Sequence, residues 1–231
     1  MNWDSITHLL EDFTPLSIVI RLVLATVCGG VIGLEREYKR HSAGFRTFTL
    51  VCLGAALTTI VNIYIFNVTG SADVGRIPAG VVSGVGFLGV GSIIVTRRNT
   101  IKGITTAAGL WATACLGIAF GSGMIWASFL AFVLIMIVIG VLSKISWYVA
   151  SHNRIIHLYI EYRNRSDLEL LHKWLDESGY ILVSMEKHIE GKSKESEFSA
   201  TLEIDLGASR KHVDVMAEIV KQEWIEYVEE L

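Results

Sequence analysis

Residues 83–91 read SGVGFLGVG, from Ser83 through Gly84, Gly86 and Gly89 to Gly91, and they contain the pattern G-x-G-x-x-G. In a soluble α/β protein that spacing cradles a dinucleotide pyrophosphate at a helix N-terminus, with an acidic residue about 20 positions later for the ribose. Here no Asp or Glu occurs anywhere from Val74 to Ile160. The ribose-binding part is therefore missing, and the stretch lies inside an apolar run. That argues against a nucleotide site and asks for another use of the glycines. Lipid gives helices no hydrophobic reason to associate, whereas small residues let their backbones approach. Gly29 and Gly33 form G-x-x-x-G, and Gly80, Gly84 and Gly91 fall on related faces of a helix, with Gly86 on a neighbouring one. The expectation is a tightly packed bundle in which Gly29, Gly33, Gly80, Gly84, Gly86, Gly89 and Gly91 serve helix packing. The same glycines would also permit a broken helix around a binding site, as in transporters.

The composition agrees with a membrane chain. Of 231 residues 52% are hydrophobic and 19% charged, and the mean hydropathy is +0.48. About 20 mostly apolar residues cross a bilayer as a helix. Five segments meet or approach that requirement: 16–34, 47–66, 78–95, 104–121 and 124–143. Lys and Arg gather in alternate loops. Arg36, Lys39, Arg40 and Arg46 follow the first segment, Arg97, Arg98 and Lys102 the third, and Lys144 and Arg154 the fifth. The bias of basic residues toward the cytoplasm then predicts an outside N-terminus and an inside C-terminus. The first residues, MNWDSITHLLEDF, carry no basic residue and do not read as a cleaved secretory signal. Cys28, Cys52 and Cys115 lie in apolar runs without a C-x-x-C pair and read as small buried hydrophobes.

Charge divides the chain near Asn153. Residues 1–153 carry a balance of +4 and residues 154–231 one of −7, which together give the net −3. The second part has soluble patterning. Residues 155–162 read as a strand. Ser166 and Glu169 are spaced as a capping box for a helix with Leu168, Leu171, Trp174 and Leu175 on one face, ending at Gly179. A strand follows at 180–189. After a solvated hairpin loop, GKSKESE, the stretch 198–206 alternates apolar and polar. Ser209 is placed to cap a second helix carrying Val213, Met216 and Val220, and WIEYVEEL closes as a strand. The order β-α-β-β-α-β predicts a ferredoxin-like, ACT-like domain. The expected organisation is an outer tail over 1–15, a five-helix membrane bundle over 16–147 and a small cytoplasmic α+β domain over 148–231.

Four stretches carry a resemblance: GGVIGLERE at 29–37, AGFRTFTLVCLGAAL at 43–57, DVGRIPAGVVSGVGFLGVGSII at 73–94 and IKGITTAAGLWATACLGIAFGSG at 101–123. In order and spacing they resemble the MgtC/SapB family of bacterial membrane proteins, over about 17–145 of this sequence. The resemblance implies five spans, a cytoplasmic C-terminus in longer members, and an association with magnesium limitation and virulence. Some members are labelled magnesium transporters. The ACT-like tail is similar to that of the longer members. The sequence departs from the family at Ala79-Gly80, where an Ala-Gln pair is usual, at Arg76-Ile77-Pro78, and at Gly109, which replaces a threonine.

The charged and polar residues are few enough to weigh one by one. Magnesium wants near-octahedral oxygen ligands, usually one or two carboxylates with several waters kept. The first 153 residues hold six acids, of which Glu35 and Glu37 lie at one face of the bundle and Asp73 at the other. They cannot share one ion, so Glu35 and Glu37 are weak metal candidates only. Glu35 is expected to pair with a neighbour of Arg36 or with Arg46. Arg21 enters the first span, where a buried guanidinium is costly unless paired. An Arg21–Asp73–Arg76 cluster is the expected solution, with Asp73 also capping the third span and snorkelling of Arg21 to the interface as the alternative. Asn62, with Thr58 and Thr59, and Ser83, Thr105, Thr106 and Trp111 add polar groups for hydrogen bonds between helices or for a polar path. No Ser/His/Asp constellation and no His pair with metal-ligand spacing is present, so catalysis and a bound cofactor are not expected, beyond Mg2+ as an ion transported or sensed. The acidic tail excludes nucleic acid as a partner. Its strand–helix turn, Asn164-Arg165-Ser166, lacks the glycine at which ACT domains take small ligands, which points to a homodimer or to contact with other membrane proteins. The resulting expectation is a non-enzymatic regulator of magnesium or ion homeostasis in the bacterial inner membrane, with a cation transporter or channel as the alternative.

Overall fold

The computed structural model describes residues 12–71, 73, 75–96, 101–143, 145, 153–162, 164, 166–189, 198–207, 212–222 and 224–231. The chain forms two compact units, one built from Met1–Thr96 and Ile101–Ser143, the other chiefly from Lys144–Leu231. The expected boundary at 147/148 falls outside the described residues.

The first unit is helical. Helix α1, Pro15–Tyr38, starts where Thr14 Oγ1 accepts from the Ser17 amide and Ser17 Oγ accepts from the Thr14 amide, with Pro15 at the first position. Its residues Leu16, Val19, Val23, Val27 and Leu34 form an exposed apolar stripe, while Arg21, Ala25, Cys28, Gly29, Ile32, Gly33 and Arg36 are buried. Helices α2 (Phe45–Thr69), α3 (Arg76–Ser92), α4 (Ile104–Gly121) and α5 (Ile125–Ile137) follow, and α5 continues as a π-helical turn over Val138–Leu142. Two-residue strands β1 (Ile94–Val95) and β2 (Ile101–Lys102) pair antiparallel between α3 and α4. Four segments are long and apolar enough to cross a membrane: Pro15–Tyr38, Phe45–Thr69, Ile104–Gly121 and Ile125–Leu142. The expected span at 78–95 is shorter as helix, since Ile94 and Val95 belong to β1.

The core of this unit is made by Phe48, Cys52, Ala55 and Ala56 of α2 against Ala25 and Ile32 of α1 and Leu110, Ala114, Leu116 and Phe120 of α4. Glycine sets the spacing. A Cβ on Gly29 would stand 2.6 Å from Cys52 Cβ, and one on Gly33 2.7 Å from Phe45 Cα. On α4, a Cβ on Gly117 would collide with the Cys52 carbonyl and one on Gly121 with the Ala56 carbonyl. The α3 glycines behave otherwise. Gly89 touches Ala107, but a Cβ on Gly80, Gly84, Gly86 or Gly91 would meet nothing within 4 Å. The packing role expected of those four is therefore not met within this chain. It falls instead to Gly29, Gly33, Gly117 and Gly121, because α3 buries only Val85 and Gly89.

In the second unit, β3 (Ile155–Tyr162), α6 (Asp167–Ser178), β4 (Ile181–Ile189), β5 (Phe198–Asp205), α7 (His212–Ile219) and β6 (Ile225–Glu230) follow in order. The sheet runs β4-β5-β3-β6 with every neighbour antiparallel. Alternate residues Ile156, Leu158 and Ile160 meet Ala200, Leu202 and Ile204 over Leu171, Leu175, Val215 and Ile219. Gly179 ends α6 in the left-handed region at φ 73°. Two local expectations change. Ser166 makes no side-chain cap bond; the Asp167 carboxylate accepts from the Asn164 amide at 2.9 Å instead. On α7 the buried face is His212, Val215 and Ile219, while Val213 and Val220 are exposed. Ser209 and the hairpin loop at 191–197 lie outside the described residues.

Candidate functional site

The polar groups of the helical unit concentrate where α1 ends. Arg36, only 2% exposed, donates from Nη2 to Thr106 Oγ1 at 3.1 Å, which ties α1 to the first turn of α4. One residue earlier, Glu35 Oε1 lies 2.6 Å from Lys39 Nζ, the i,i+4 partner one turn on. Lys39 Nζ also donates to Ser143 Oγ at 3.1 Å and to the Ile139 carbonyl at 3.4 Å. Ile139 belongs to the π-helical turn, where a widened helix frees carbonyls from the usual ladder. Glu37 faces another way. Its Oε2 accepts from the Phe45 amide at 2.8 Å and so caps the positive end of α2.

The arrangement leaves buried polar atoms over. Both Glu35 oxygens and Arg36 Nε are buried without a hydrogen-bond partner. Oε1 is close to Lys39, but as an ion pair by distance rather than a directed hydrogen bond. Two opposite charges at that separation attract whatever the angle. His41, in the loop beyond α1, is held below the ordinary histidine value. Desolvation is the main cause, and Arg36 and Lys39 add to it against the opposing pull of Glu35.

The opposite end of the bundle holds Arg21, 1% exposed. Its Nη1 donates to the Gly121 carbonyl at 3.0 Å and its Nη2 to the Asp12 carbonyl at 3.4 Å. Gly123, at φ 89°, makes room for it, because a Cβ there would stand 2.7 Å from Nη2. Asp73 is exposed and its Oδ1 accepts from the Gly75 amide at 2.9 Å, while Gly75 is the N-cap of α3. The expected Arg21–Asp73–Arg76 cluster is thus not assembled: Asp73 turns to Gly75, and the Gly121 and Asp12 carbonyls are among the acceptors around Arg21.

The other expected residues scatter. Arg46, Arg76, Ser83, Thr105 and Trp111 are exposed, and Asn62 is buried. Thr58 and Thr59 return their hydroxyls to carbonyls of their own helix at 3.0 and 2.9 Å. Of the two partners expected for Glu35, a neighbour of Arg36 or Arg46, it takes the first, Lys39 at the i,i+4 position. Ser143 and Gly123 escaped the sequence reading, and nothing local points to them. Among the described residues no group of three His, Cys, Asp or Glu could hold a metal ion.

The sequence profile of the MgtC family matches residues 22–147. The chain belongs to the MgtC family. The profile runs from Leu22 in α1 through α5, and so covers the Glu35–Lys39 end of this MgtC-family bundle, while Arg21 lies one residue before the match. Relatives agree. The chain is 39% identical over 158 residues to the Escherichia coli (strain K12) protein named "Putative magnesium transporter YhiD", covering 66% of this chain and 72% of that one. It is 37% identical to protein SapB of Bacillus subtilis (strain 168) over 134 residues, 56% of this chain and 58% of SapB. It is 40% identical to protein MgtC of Brucella abortus (strain 2308) over 114 residues, 49% of this chain and 46% of that protein. No solved structure matches. With its four apolar helices, this MgtC-family chain is a bacterial membrane protein.

Proposed function

We propose that this protein is a non-enzymatic regulator of magnesium or ion homeostasis that acts by contacting other membrane proteins. The observation that carries the reading is the state of the buried carboxylate. Glu35 is held at 2.6 Å by Lys39 and sits next to Arg36. Two cations around one carboxylate repel Mg2+, which prefers carboxylates and water.

In this reading α3 is a fifth span, with 17 residues and so about 26 Å of length, slightly under the hydrocarbon thickness. The basic loop after α1 faces the cytoplasm and the N-terminus lies outside. The β-α-β-β-α-β order and the sheet β4-β5-β3-β6 support a ferredoxin-like, ACT-like domain that mediates dimerisation or partner contact. The name of the Escherichia coli relative favours the second reading, a magnesium transporter, in which threonines and backbone carbonyls would form the path.

The cell separates the two. In a bacterium lacking its own relative, the expected result is restored growth at low magnesium with an unchanged initial rate of magnesium entry, followed with a fluorescent indicator. An entry rate that rises in proportion to expression would support transport and end the regulatory reading.

A further inference from the structure

The charges at the end of α1 do not balance locally. Glu35 is matched by Lys39 at 2.6 Å, and Glu37 is committed to the first amide of α2. That leaves Arg36, 98% buried, with its Nη2 on Thr106 Oγ1 and its Nε without a partner. Thr106 is the third residue of α4, an 18-residue helix whose N-cap, Gly103, supplies no side chain to the free amides. Gly103 stands at φ 102°, and a Cβ there would collide with the Ser92 carbonyl, so the cap is confined to glycine. A buried guanidinium and the positive end of a helix therefore meet at one point. The neighbouring Glu35 and the carbonyl end of α1 offset part of the Arg36 charge, but neither gives an acceptor to Nε.

We infer that the N-terminus of α4, together with Arg36 and Thr106, is a binding site for a phosphate-type anion. The helix amides and the guanidinium Nε–H donate to its oxygens, a pairing of charge and geometry suited to phosphate. Thr106 Oγ1 accepts from Arg36 and has its own proton to donate to the anion. Lys102, exposed on β2 two residues before α4, adds positive potential near that helix end. The anion has two possible sources, the headgroup of an anionic lipid or free phosphate in solution. This inference is independent of the regulatory reading.

The test uses the full chain and its thermal unfolding midpoint. Inorganic phosphate is titrated against the protein in a neutral detergent, with sodium chloride at matched ionic strength as control. In parallel the protein is placed in phosphatidylcholine nanodiscs with increasing phosphatidic acid. A saturable rise with phosphate beyond the chloride control identifies the free anion. A rise with phosphatidic acid alone identifies the lipid headgroup. In either case Thr106→Val, which keeps the helix and removes one donor, is expected to weaken the half-saturation point about tenfold. Arg36→Lys, which keeps the charge and loses the fork, is expected to weaken it at least as much. A folded wild-type protein that responds to neither titrant overturns the inference. So does a response of equal strength in Thr106→Val, because the anion would then bind the general basic surface.

Discussion

Gly117 and Gly84 are the same residue in neighbouring helices, yet they do different things. Gly117 lets α4 lie against the backbone of α2 at Cys52, whereas Gly84 faces open space on α3. Gly117→Ala should cost about 1–3 kcal/mol through overpacking, read as a lower unfolding midpoint in detergent. Gly84→Ala should leave the midpoint unchanged or raise it, since alanine favours helix over glycine. Equal losses in both would show that α3 packs as tightly as α4. At His41 partial burial, and after it the charges of Arg36 and Lys39, hold the ring below its ordinary value of 6.5. A depressed value means that the unfolded chain takes up its proton first as pH falls. The His41 contribution to stability is then fully present above the ordinary value and is lost as pH falls from there through the folded value. Histidine NMR in detergent micelles should place the midpoint below 6.5, with Arg36→Gln moving it upward. An unmoved midpoint would remove Arg36 from the account. Residue type and spacing alone could show that Glu35 and Arg36 were worth attention. They could not show that Gly121 and Asp12 would solvate Arg21, because carbonyl positions belong to the folded backbone and not to side-chain identity.

At the scale of single elements, α5 is the most loosely held helix of the bundle. It buries Ser128 along Ile125–Ile137 and then Ile139 in its π-helical turn. Lys39 fastens that turn through the Ile139 carbonyl and Ser143. Lys39→Met should therefore speed amide hydrogen exchange over residues 139–143 while leaving α2 and α4 protected. Unchanged exchange there would make the lysine contacts incidental. In the second unit, Val215→Ala should cost about 1–3 kcal/mol as a buried truncation. Val213→Ala should be nearly neutral because Val213 is exposed. Denaturant unfolding monitored by a Trp174 or Trp224 signal distinguishes them, and equal costs would contradict the observed face of α7. Of the expected residues Val213, Met216 and Val220 only Met216 packs on the core, since a short helix with apolar residues at 213, 215, 216, 219 and 220 offers two stripes. Only the sheet it packs on selects one. The strand positions were easier to read, because strict alternation of apolar and polar residues at 198–205 leaves one buried face. Four α3 glycines expected to serve packing, Gly80, Gly84, Gly86 and Gly91, meet no neighbour within this chain for a related reason. Sequence shows that a helix can be approached closely, but not which neighbour approaches it.

For the molecule as a whole, two units of opposite charge were legible because lipid and water demand different compositions. The helices of the first unit were legible through length and apolarity, and family membership through motifs spread over α1 to α4. What the bundle does was less legible, since it depends on which charges meet in space. At the end of α1 the structure puts Glu35 with Lys39 and sets Arg36 against α4. The central claim is that such a bundle does not carry magnesium. It is tested most directly by purified protein in liposomes loaded with a magnesium-sensitive dye, with external magnesium raised with and without a membrane potential. The account predicts the dye response of protein-free liposomes, from protein shown to be folded and correctly oriented. Protein-dependent entry that disappears in Glu35→Gln would contradict it and would place the ion path beside Lys39.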